Sequence, residues 1–273
     1  MTMINYACLL AAVCFIVSNS LGIVVIVKDI NWHGFDMSSW KALDPTYLKE
    51  LWSYRADIMP LFQAASILDA FGWLLMTVPV VQLAWSLSYG GKRLTAMHTA
   101  VAAFAIVACF TEVTSRLLFL GAWGSAEGIY SSFDLDSWIS SNDQVGWRVL
   151  EVNWMIVEGL LQWVDAFEWI CLFCITTFIY ISVGTQLEEA RKLPMWWART
   201  GLAIAFFTIM DFTADLLRNE EWVGFSQFSI ITAIVNTLIL LPSWLIYLSF
   251  NLHKTLPQYS EELDIVVPLI ETN

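Results

Sequence analysis

From Tyr6 to Val27 the chain passes through 22 positions without a single Lys, Arg, Asp or Glu. Five further, predominantly apolar runs follow, at about 58–87, 95–122, 147–183, 197–217 and 225–250. A helix rises 1.5 Å per residue, so about 20 apolar residues match the roughly 30 Å hydrocarbon core of a bilayer. Every run is long enough for that. A soluble fold would have to hide all of this surface from water, and the composition gives it little to cover it with. The chain is 58% hydrophobic and 14% charged, against about a quarter charged in an ordinary soluble domain. The expected architecture is therefore all-α: a polytopic transmembrane bundle of about six spanning helices, one integral membrane domain over 1–273. A short cytoplasmic tail, 251–273, closes the chain. Fifteen Trp residues fit this class, because indole rings favour the membrane–water boundary.

The first run competes with a signal peptide cleaved near Ser18-Asn19-Ser20. No basic residue precedes it, and Leu21 to Val27 prolong it past that point, so a retained helix is expected. The longest polar connection is Lys28 to Asp57. Within it Asp44 and Pro45 read as N-cap and first helical residue. Leu48, Leu51, Trp52 and Arg55 then recur at helical spacing, which predicts a short amphipathic helix in this first outer loop, lying on the membrane or capping the bundle. Beyond Trp123 comes a polar, acidic loop holding Glu127, Asp134, Asp136 and Asp143. The fourth run is too long for one perpendicular crossing and is expected to protrude or tilt.

Basic residues orient the bundle. Lys92, Arg93, Arg191, Lys192, Arg199 and Lys254 fall on one side of six crossings, and short Lys/Arg-rich loops stay in the cytoplasm. Both termini are then expected to be cytoplasmic and the two long loops exoplasmic. Lys28, Lys41, Lys49 and Arg55 run against this trend. Nothing in the sequence says which membrane is occupied.

A net charge of −12 with 13 basic residues excludes nucleic acid as a partner, since phosphate backbones demand clustered Lys and Arg. Cys8, Cys14, Cys109, Cys171 and Cys174 all lie in apolar stretches, so no disulfide framework is expected, and the Cys171/Cys174 pair reads as packing. With three histidines and no His pair at i, i+4, a His-based metal enzyme is disfavoured. No phosphate-binding loop, dinucleotide fingerprint or nucleophile elbow occurs, and no cofactor is expected.

Ionisable groups at membrane depth cost a few kcal/mol each on insertion scales, so each needs a reason. Nine stand out at membrane depth: Asp69; Glu112 and Arg116; Glu158, Asp165 and Glu168; Asp211, Asp215 and, at the end of its run, Arg218. Gln63 and Asn236 add uncharged polar groups. Glu112 and Arg116 are four apart and share a helical face, as do Asp211, Asp215 and Arg218. Glu151, Glu158 and Asp165 repeat every seven residues, with Glu168 three further on, so the fourth run carries an acidic stripe that cannot face lipid. Trp163 points away from it. In the assigned topology these groups converge on the outer half of the bundle, above an apolar floor.

Two readings follow. Arg116 and Arg218 can pair with nearby acids to fix helix register. Alternatively, seven acids against two arginines make an acidic cavity that receives a proton, cation or amine, as in a transporter, channel or receptor-like binder. Asp165, Glu168 and Asp211 would be its deepest contacts, Glu112 and Arg116 a gate or register pair, and Asp69 a complement from the second span. A different function would make the chain an accessory subunit holding a membrane-protein partner through Trp32, Trp40, Trp52, Trp138 and Trp147. A carboxylate-based enzyme acting on a lipid is the lesser alternative, since no nucleophile is marked. The lipid bilayer is a partner under every reading.

Overall fold

The computed structural model describes residues 3–33, 45–88, 95–132, 144–188, 191–218 and 231–255. Among these the chain is helical with no strand: α1 (Met3–His33), α2 (Pro45–Leu87), α3 (Ala96–Ser132), α4 (Gln144–Gly184), α5 (Met195–Arg218) and α6 (231–255). Each helix packs on its neighbours in sequence, and α6 returns to pack on α1, giving a ring. Among the described residues, five helical stretches are long and apolar enough to cross a membrane: Met3–Lys28, Ala56–Leu87, Ala96–Ser125, Ala166–Gly184 and Ile231–His253. Together with α5 they make up the six helices of the expected all-α bundle. The helix left out is α5, whose 24 residues include Arg199, Asp211, Asp215 and Arg218.

Helix α5 nevertheless runs the length of the bundle. Near its start Trp197 stacks on Trp244 of α6, with ring centroids 4.6 Å apart. Further along, Thr208 meets Asn236, and near its end Asp211 meets Thr232. Rising numbers on α5 meet falling numbers on α6, as antiparallel neighbours must.

Several helices outrun a bilayer. The 43 residues of α2 and the 41 of α4 correspond to about 60 Å each. Their excess lies at one end of the ring, with those of α1 and α3. Two expectations change accordingly. The segment predicted as a separate amphipathic helix is the first turns of α2, which begins at Pro45 as expected and continues unbroken through Pro60 and Pro79. Glu127 lies on α3, which extends to Ser132 where a loop is expected after Trp123. The fourth run lies within the single unbroken helix α4, whose 41 residues exceed one perpendicular crossing. Asp44, Trp40, Asp134, Asp136, Trp138, Asp143, Lys92 and Arg93 lie outside the described residues.

The core is built from small and aromatic side chains on facing helices. Cys8, Ala11, Ala12 and Phe15 of α1 meet Trp73, Met76, Val80 and Leu83 of α2. Large apolar groups cover the outside, such as Phe110, Leu117, Leu160 and Phe206. That inversion suits a lipid solvent. At the end where α6 terminates, the Lys192 ammonium donates to the Thr255 carbonyl at 3.0 Å. Buried His98 of α3 joins Ser182 of α4 at 2.7 Å through its Nε2. All five cysteines are free, including Cys171 and Cys174.

Candidate functional site

Arg116 organises the centre of the ring. Its Nη2 donates to Asp69 Oδ2 at 2.8 Å and its Nε to the same oxygen at 3.2 Å. The Nε also donates to Glu112, one turn back on α3. Spacing predicts the second contact, since i and i+4 stack on one face. The first joins α2 to α3. Arg suits this place because its planar fork serves two carboxylates at once.

Glu112 is fully buried and lies within hydrogen-bonding reach of Glu168 on α4. Ionised carboxylates offer each other only acceptors, so a direct bond between these two carboxyls requires a proton on one of them. Glu168 is itself buried. Three helices thus bring three carboxyls and one guanidinium together. Trp163, five residues before Glu168, is exposed on the opposite side of α4, as the acidic stripe requires.

Beside this cluster lies a cavity of about 90 Å³. Asp69, Arg116 and Glu168 give it charge, and Asn19 and Thr237 add neutral polarity. Phe15, Trp73 and Trp169 form aromatic walls. All the helices but α5 contribute. Asn19 Oδ1 accepts from Thr237 Oγ1 at 2.8 Å, tying α1 to α6 across the cavity's edge. The space suits a few waters or a small amine, well short of the roughly 300 Å³ that drug-sized ligands need.

Of the expected site residues, Asp69, Glu112, Arg116 and Glu168 come together. Asp211 does not join them. It is buried between α5 and α6 and accepts from Thr232, away from the central cavity. Glu158, Asp165, Asp215 and Arg218 stand on helical backbone, and their side chains lie outside the described residues, as do those of Trp32, Trp52 and Trp147. The sequence reading overlooks Asn19, Thr237 and the aromatic wall. Asn19 is the one strongly polar side chain in the middle of α1, and spacing within α1 does not show that it faces a cavity.

Fold and site together define a multi-pass α-helical membrane protein. No protein-family model, curated protein or solved structure matches the chain.

Proposed function

We propose that the chain is a small transporter that takes a proton or small cation into the central cavity. The observation that carries this reading is the cavity wall itself: Asp69 and Glu168 beside aromatic rings, with Arg116 already engaged by Asp69 and Glu112. Acid-rich polar clusters inside membrane bundles are the usual material of proton relays and cation paths. Aromatic faces next to carboxylates also suit an amine, whose charge is drawn both to the carboxylate and to the ring quadrupole. A proton shared by Glu112 and Glu168 gives the site something to exchange for the arriving cation. Structural pairing accounts well for Arg116 with Asp69 and Glu112. Glu168 brings a third carboxyl, at the cavity wall.

The test is flux into proteoliposomes, read with an internal pH dye and with radiolabelled methylammonium. Flux above that of empty liposomes, falling at least tenfold in Glu168→Gln while the variant elutes as the wild type does, is the expected result. Equal flux in both proteins, or none above background, would overturn the reading.

A further inference from the structure

Four oxygen-bearing side chains meet between α5 and α6, apart from the central cavity. Thr208 and Asp211 lie three residues apart on α5, and Thr232 and Asn236 four apart on α6. Thr232 Oγ1 donates to Asp211 Oδ1, and Asn236 Nδ2 donates to Thr208 Oγ1 at 3.0 Å. Adjacent turns of one helix thus meet adjacent turns of the other, and the four heads form one patch. All four are buried: Thr208 and Asn236 are fully inaccessible, and Asp211 and Thr232 are each 2% exposed.

Two acceptors in this patch have no hydrogen-bond partner, Asp211 Oδ2 and Asn236 Oδ1. A buried acceptor left without a donor costs about 1–3 kcal/mol, more when charged. The donors already present are spent elsewhere: Thr232 on the other carboxylate oxygen, Thr208 on the Ile204 carbonyl, and the Asn236 amide on Thr208. What the patch lacks is a donor or positive centre for these two oxygens.

The backbone is adapted at the same place. Residues Val235–Leu240 form a π-helical stretch, and the Leu241 N–H bonds to the Asn236 carbonyl, five residues back. Such widened turns cost regular α-helical bonding and recur at functional sites. Here the widened stretch includes Asn236 and places its amide against Thr208.

We propose that Thr208, Asp211, Thr232 and Asn236 bind an alkali cation, Na⁺ in particular. All the donors are oxygen, which selects hard cations over softer transition metals. One carboxylate supplies a single formal charge, enough for a monovalent ion but fewer than the several carboxylates calcium sites use. The four side chains include one Asp and no His, Cys or Glu, the residues a transition-metal site would gather. The site stands on its own observations and does not require that the central cavity transport anything.

The experiment is equilibrium binding of ²²Na⁺ to the purified full-length protein in detergent, in a choline chloride background, with unlabelled Na⁺, K⁺ and Ca²⁺ as competitors. Saturable binding is expected, displaced by Na⁺ at least tenfold more readily than by K⁺ or Ca²⁺. It should weaken at least tenfold in Asp211→Asn and in Thr232→Val. Should either variant fail to fold, Asn236→Leu, which keeps the volume and removes the oxygen, carries the same comparison. Absence of saturable binding in the wild type would overturn the proposal, and the patch would then be a protonated Asp211 donating within the protein. Binding that survives in every folded variant would equally overturn it.

Discussion

Arg116 has the most consequential side chain in the ring, because two carboxyls depend on it. Removing one partner of a buried ion pair costs about 3–5 kcal/mol, mostly from the charge left behind. Arg116→Leu strands Asp69 and Glu112 together, beside Glu168. The expected loss is about 3 kcal/mol, near the low end because the Arg116 side chain keeps 22% exposure. It should appear as a clear drop in melting temperature in detergent. Adding Glu112→Gln and Asp69→Asn to Arg116→Leu should recover much of the loss, since no uncompensated charge then remains at these positions. If the triple variant is no more stable than Arg116→Leu, the guanidinium is acting through packing and not through charge. Arg116→Lys should fall between, because an ammonium is a point charge and cannot fork to both acids. Half of this arrangement was legible beforehand. The spacing of Glu112 and Arg116 predicts their contact. The partnership with Asp69, 47 residues away, depends on which helices are neighbours, and periodicity alone does not contain that.

Between elements, close approach is decided by small residues and aromatic rings. Gly72 of α2 sits where a Cβ would lie 2.8 Å from the Phe15 ring of α1. Phe15 in turn meets Trp73 edge to face, with centroids 6.0 Å apart, and both rings wall the cavity. Gly72→Ala must therefore push the Phe15 ring, at an overpacking cost of about 1–3 kcal/mol. Phe15→Leu should relieve the clash in a Gly72→Ala background while costing stability by itself, and that opposite sign is measurable in a double-mutant thermal cycle. Additive losses would show that the two residues do not press on each other. The continuity of α2 from Pro45, where the sequence predicts a separate surface helix, has another cause. Amphipathic spacing at Leu48, Leu51 and Trp52 describes a helical face correctly, but nothing in a face pattern says whether the next turn continues or breaks. Between Arg55 and Ile58 the chain has no Gly or Pro to stop it, and Pro60 is accommodated within the helix.

For the whole molecule, the open quantity is the number of crossings, and α5 decides it. Hydropathy over the described residues leaves α5 out of the spans. Burial argues for putting it back. Asp211 is covered by α6, and Trp197 is fully buried and donates its indole N–H to the Trp244 carbonyl at 3.0 Å. A polar residue met by a neighbouring helix is no obstacle to spanning, whereas one facing lipid would be. Hydropathy counts residues without asking which way they face, and that is why the sequence sets the class of this fold more firmly than its count of spans. Six crossings return the chain to its starting side, five leave it on the other. Lys192, bonded to the last turn of α6, marks the end of the ring where Arg191 and Arg199 also cluster, and basic loops favour the cytoplasm. Epitope tags at the two termini, probed by protease in sealed vesicles of known orientation, should therefore share one fate, both protected or both cleaved. Cleavage of one alone would mean that α5 is a buried insertion and not a span, with the Asp211 patch reached from a different side of the membrane than six crossings imply.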